Sequence, residues 1–286
     1  MSETERVDEQ SVSVVQGGIL KADNEAQQSW AKMNKRVIKE ATNGAIAELE
    51  AFPEAASRAW YSIPFRDPNS PSGTVNVEGP SIKAATALMR NWKNCTSGSL
   101  IVGETDERVQ VLGFFFDVEN NIRKFKPMNI SKMGWNSKTK TAYRLPDHKM
   151  VMAIQAGASK AERNAILSGL PQGLIDLYVA TAKEIVGSGK TRELNKPAEA
   201  PKDRIAKIYK AFEKFGVRAE QLDKYIDERA DELTDEKAII VALTGLGTAI
   251  KDGQVSVEEV FGKDAPETKK IEGATRSEER RVGKEC

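Results

Sequence analysis

The chain has 286 residues, 43 Lys+Arg against 42 Asp+Glu, 40% apolar residues, one His and two Cys. That length holds one core with an appendage; a single histidine excludes a multi-His zinc centre, and two cysteines exclude a disulfide scaffold or a CxxC pair. The longest apolar-leaning stretch, Ala238–Ile250, is too short to cross a bilayer, and the start MSETERVDEQ lacks the basic and apolar runs of a secretory signal. A soluble, cytoplasmic protein is expected.

Residues 1–28 are acidic and without sustained periodicity, which predicts a disordered arm. A helix is predicted from Trp30 to Leu49, with Met33, Val37, Ala41 and Ala45 along one side. The run Trp60–Phe65 (WYSIPF), the turn-rich stretch Asp67–Gly73 and Thr74–Glu78 predict a hairpin with a long tip. Pro80 opens a helix to Trp92 that buries Ile82, Ala85, Met89 and Trp92 and leaves Lys83 and Arg90 on another edge. From Ser99 to Met128, LIVG, RVQVLGFFFDV and IRKFKPM are separated by ETDE and ENN, a three-strand antiparallel meander. Asn129–Arg144 reads as a polar basic loop.

Helical spacing returns from Lys149 to Val186, broken at Pro171, and its stripe Ile154, Ala158, Ala161, Ala165 suits close packing on a sheet. Gly187–Lys202 reads as a linker. Residues 203–265 then form a small helical domain, with helices at Arg204–Phe215, Ala219–Arg229 and Asp235–Lys251, and 266–286 a disordered tail. Arg276–Cys286 (RSEERRVGKEC) resembles the translation of a sequencing-adapter oligonucleotide and is set aside. The expected architecture is α+β over 29–186, plus the C-terminal helical domain. Cys95 then reads as a core or helix-end thiol, not a nucleophile.

The near-neutral total of +1 hides segregated charge. Asn120–Leu170 carries ten Lys/Arg against Asp147 and Glu162, whereas the first 29 residues carry six acids against two bases and Phe212–Thr275 fifteen against nine. Ten bases spread over several elements point to an anionic partner held by the middle of the chain.

No catalytic constellation emerges. Ser188-Gly189-Lys190-Thr191 lacks the glycine of a phosphate loop, which would stand at Glu184, and reads as a glycine helix stop. Asp117 and Glu119 sit where a turn is expected, Asp147-His148-Lys149 lacks a following Glu-x-Lys, and Asp235 suits a helix cap. No enzyme activity, metal or cofactor is called for.

What remains is basic residues interleaved with aromatics: Arg123-Lys124-Phe125-Lys126, Trp135 between Lys132 and Lys138, Lys140 beyond them, and Tyr61 and Phe65 before Arg66. Such cations neutralise phosphates, and exposed aromatics stack on unpaired bases. Trp135 is open to stacking and to core packing alike.

Three runs follow one another in an order that resembles the RecT/Redβ-type phage single-strand annealing proteins. They are Tyr61-Ser62-Ile63-Pro64-Phe65 before a long-tipped hairpin, Gly79-Pro80-Ser81-Ile82-Lys83 opening a helix to Arg90-Asn91-Trp92, and Ala158–Leu167 with Lys160 and Arg163, ending at Leu170-Pro171. The resemblance covers about 30–186. It implies ATP-independent annealing of single-stranded DNA to a duplex, a homo-oligomeric ring or filament, and a partner phage exonuclease or host single-strand-binding protein in a bacterial cytoplasm, with no membrane. It also implies a DNA groove at Lys160 and Arg163. The phosphate contacts expected are Lys83, Arg90, Arg123, Lys124, Lys126, Lys132, Lys138, Lys140, Lys160 and Arg163, with Arg66 beside Phe65 and with Trp135 and Tyr61 as stacking candidates. A metal-dependent nuclease of the same recombination cassette and a non-catalytic phage scaffold are the alternatives. The acidic C-terminal helices read as a recruiter of partners.

Overall fold

The computed structural model describes residues 29–66, 74–136, 140–189 and 199–262, excluding the side chains at 66, 74, 135 and 136. The acidic arm, the hairpin tip, most of the linker and the tail lie outside the described residues, as do Lys138 and the side chains of Arg66 and Trp135.

The first expected helix is interrupted. A helical turn over 29–33 ends, and α1 (Ile38–Ala51) starts only after a non-helical stretch. Within that stretch the Arg36 N–H donates to Glu119, and its guanidinium donates to both Asp117 oxygens at 2.9 and 3.0 Å. These contacts fasten the segment to the sheet. The short α2 (Pro53–Ala56) leads into β1 (Trp60–Arg66), which pairs antiparallel with β2 (Thr74–Pro80), Trp60 opposite Pro80 and Arg66 opposite Thr74. Ser81 caps α3 (Ile82–Trp92), accepting from the Ala84 N–H at 3.2 Å, and α3 buries Ala84, Ala85, Leu88 and Trp92.

The meander is present as an antiparallel sheet of β3 (Cys95–Glu104), β4 (Arg108–Asp117) and β5 (Ile122–Ser131). Along β4 the alternating residues Val109, Val111, Phe115 and Asp117 are buried. Asn129–Arg144 is not one loop: β5 runs on to Ser131, and β6 (Met133–Asn136) pairs with β7 (Thr141–Arg144). Lys140, at φ 53°, turns the chain back into β7.

The long helical region breaks at Pro171 into α4 (Asp147–Gly169) and α5 (Gln172–Ser188). α4 lies across the sheet on the predicted stripe. Gly113 of β4 meets the Ala161 backbone so closely that no Cβ fits there, and Ala165 and Ile166 reach the main core. Gly189, left-handed at φ 71°, ends α5. No single described helix is long and apolar enough to cross a membrane.

Beyond the linker come α6 (Pro201–Glu213), α7 (Ala219–Asp227), α8 (Glu236–Lys251) and α9 (Val257–Phe261). They have their own core of Phe212, Val217, Leu222, Tyr225, Leu243 and Leu246. They do not, however, stand apart from the α+β body. Gly245 of α8 lies against the Trp60 ring, the Thr248 hydroxyl donates to the Ser57 carbonyl at 3.0 Å, and Ile240 joins the main core. Arg204 of α6 donates to the carbonyls of Gly187 and Val186. α8 is apolar on two sides, so it serves both cores.

Candidate nucleic-acid interface

Strand alternation puts Tyr61 on the face of β1 opposite Trp60. Gly79 stands across from it in register and leaves room: a Cβ there would come within 2.5 Å of the phenol oxygen. The Arg163 guanidinium of α4 covers the Tyr61 ring, 4.8 Å from its centroid. Farther along this hairpin face Phe65, Val75 and Val77 are 64%, 43% and 48% exposed, an uncovered apolar strip.

Arg163 is not the solvent-facing phosphate contact the sequence suggests. Only 4% of it is exposed, and its hydrogen bonds go to the Asn164 side-chain oxygen at 3.3 and 3.2 Å. Burial lowers its pKa, against the opposing fields of Tyr61 and Asp252. Lys160, three residues earlier, is exposed. Lys160, Arg163, Ile82 and the Asp252–Gln254 turn line a crevice of about 70 Å³. Asp252 turns a buried Oδ2 inward with no hydrogen-bond partner, and burial raises its pKa although Lys83, Arg163 and Lys251 pull it down. Three residues named from sequence, Tyr61, Lys160 and Arg163, thus gather at one place, and the charge of a fourth, Lys83, reaches Asp252 from beside it.

The second cationic group lies at the edge strand β5. Lys124 and Lys126 are exposed and stand opposite Phe115 and Gly113, on the sheet side that α4 covers. Two contacts fix the rotation of α4: Gly157 meets Ile130 of β5, and Glu162 accepts from the Ser97 hydroxyl of β3 at 2.8 Å. With about 100° per residue, Lys160 lies on the helix side away from Glu162, the β5 flank. Lys124, Lys126 and Lys160 therefore share one flank, and none of the three makes an ion pair among the described residues.

The other expected contacts do not join them. Lys132 is buried, 4% exposed, and its ammonium pairs with Glu104, whose carboxyl it holds below the usual range. It is a strut between β3 and the turn after β5, not a phosphate ligand. Arg90 is exposed but paired with Glu48, and with Lys83, Arg58 and Tyr178 it lines a separate cavity of about 410 Å³. Arg123 projects from the opposite face of the sheet. Lys140 is exposed at the turn into β7, and the Trp135 backbone pairs with Ala142.

Asp117, considered for a metal site, is instead the acceptor of Arg36, Asn120 and the Trp92 indole. Among the described residues no group of three or more His, Cys, Asp or Glu could hold a metal ion. His148 is exposed at the start of α4. Burial pushes the Cys95 thiol up to about 12, so it stays protonated. The sequence reading missed Asp252 and Phe116, and it noted Phe125 among the basic residues of β5 without naming it a stacking candidate. The two rings could have been brought together by pairing FFF with RKF across the ENN turn. Comparison with protein-family models, curated proteins and solved structures finds no match.

Proposed function

We propose that this chain binds single-stranded DNA and anneals complementary strands without ATP. The observation that carries the reading is the cluster Lys124, Lys126 and Lys160 on one flank of α4 and β5, none of them in an ion pair among the described residues, beside the Tyr61–Arg163 crevice. Point cations of this kind hold phosphates and leave base edges outward, which is what a strand awaiting its complement requires. Annealing needs no bond making, and the titratable groups at the crevice are used for packing and charge. The resemblance to the RecT/Redβ-type proteins supports the same reading. It extends it to a ring or filament of copies, to phage recombination in a bacterial cytoplasm, and to a partner exonuclease or host single-strand-binding protein recruited by the C-terminal helices.

The test is binding and annealing of labelled oligonucleotides by the parent and by the triple variant K124A/K126A/K160A. The parent is expected to bind with little base preference, its affinity falling by about 0.7 log units per log unit of salt for each phosphate neutralised. The triple variant should have a shallower salt slope by about two units and anneal more slowly. A flat salt response in the parent, or a triple variant equal to it, sinks the reading.

A further inference from the structure

The β3-β4-β5 sheet has two unlike faces. α4 covers one. The register assigns the other: Phe114 stands opposite Gly98 and Phe125, and Phe116 opposite Arg123. Directly opposed residues of an antiparallel pair share a face, so these side chains project together. The Phe116 ring lies 5.2 Å from Phe114 and 5.6 Å from Phe125, and the Arg123 guanidinium stands 6.0 Å over it. Gly98 lets Phe114 lie down on β3, since a Cβ there would come within 2.8 Å of that ring. Phe114 is thereby buried, but Phe125 remains 51% exposed, and Gln110, Pro127 and Asn129 on the same face are exposed as well.

The charge on this face has one sign. Taking the residues that the register places there on all three strands, none is Asp or Glu, whereas Arg108 and Arg123 both belong to it. Lys124 and Lys126 alternate with Arg123 and Phe125 along β5, so the strand carries cations on both sides. A polyanion with flat apolar groups complements such a surface. A second copy docking face to face by two-fold symmetry would instead bring two surfaces of like charge together, with no carboxylate on either to offset the arginines.

We propose that the open face is a second single-strand surface, a base-stacking platform formed by Phe125 and Phe116 with Arg123 on the phosphate, separated from the α4 flank by the thickness of the sheet. The proposal rests on the DNA-binding reading above and adds to it. β5 then lies between two tracks for nucleic acid: lysines hold phosphates on one side, and rings hold bases on the other.

The experiment compares the full-length chain with Phe125→Leu, which keeps an apolar side chain at an exposed position and removes the ring. The probes are a twenty-residue oligothymidylate and an abasic phosphodiester strand of equal length. Loss of one stacked base should weaken oligothymidylate binding about tenfold. Binding of the abasic strand and the melting temperature should not change. If F125L binds both probes like the parent while the triple lysine variant loses affinity, the platform is wrong and the DNA-binding reading stands. A parent that binds neither probe overturns both. If F125L keeps its affinity but sediments as a smaller oligomer, the face belongs to a second copy and the proposal fails.

Discussion

Arg36 and Arg163 are both arginines with little exposed surface, stacked on an aromatic ring, and their surroundings differ. Arg36 stands over Trp92 at 4.3 Å, donates to both oxygens of Asp117, and adds the carbonyls of Trp92 at 2.6 Å and Lys93 at 2.9 Å. Its donors are matched by acceptors from two remote segments. Arg163 has a ring and its sequence neighbour Asn164, while the nearby Asp252 makes no hydrogen bond from Oδ2. A buried charge with a full set of partners fastens a fold, whereas one with a partial set recovers less of its desolvation cost and fastens it less. The N-terminal clamp and the crevice separate along that line.

The largest effect should come from breaking the clamp. Arg36→Ala strands Asp117 without its partner and should cost about 3–5 kcal/mol, a fall in melting temperature of roughly 10 °C for a chain of this size. Arg163→Ala, which loses a stack and bonds to one amide, should cost about 1 kcal/mol. Equal losses at the two positions would erase the distinction.

Acid should act on the clamp next. Burial alone would raise the Asp117 carboxyl, but hydrogen bonds from Arg36 and Asn120 outweigh it and hold the group below the ordinary aspartate range. The native state therefore gives up this proton more readily than the unfolded chain. Its contribution is complete above the ordinary range and is lost as pH falls through the lowered value. Denaturant midpoints measured down the acid limb should fall for the parent and fall less for Asp117→Asn.

At the crevice the sign reverses, and the effect is smaller. Asp252 has a raised pKa, so its contribution is complete below the ordinary aspartate range and is lost as pH rises through the raised value. Asp252→Asn should therefore raise the melting temperature by about 1–2 °C at neutral pH, solvent screening included, and leave it unchanged in acid. The same variant removes a carboxylate that lines the crevice with Lys160 and Arg163 and should tighten single-strand binding. A weaker complex would show that Asp252 orients those cations rather than opposing the ligand.

Local signals carried much of the fold. The turns ETDE and ENN marked off the strands of the meander, small residues at helical spacing marked the face of α4 that meets Gly113, and Asp235 caps α8 as its type and place suggest, accepting from the Ala238 N–H at 2.7 Å. The hairpin β6–β7 escaped because four-residue strands rich in polar side chains carry no usable alternation. The charge count located the basic middle of the chain but could not rank its members. Lys132 is withdrawn by Glu104, 28 positions away, and Arg163 by Tyr61 on a strand of another sheet.

Side-chain spacing along a helix or strand is a property of the backbone, so the sequence by itself determined the longer helices after β2, the meander, the packing stripe of α4 and the sign of the charge in the middle of the chain. Which face is covered depends on elements far apart in the chain. Only the tertiary structure therefore decided that α8 closes over β1, that Arg36 spends its donors on Asp117, and that Phe125 and Arg123 stand on the open side of the sheet while Lys124 and Lys126 stand on the other. Periodicity names the faces of an element, and long-range packing selects the one that meets solvent.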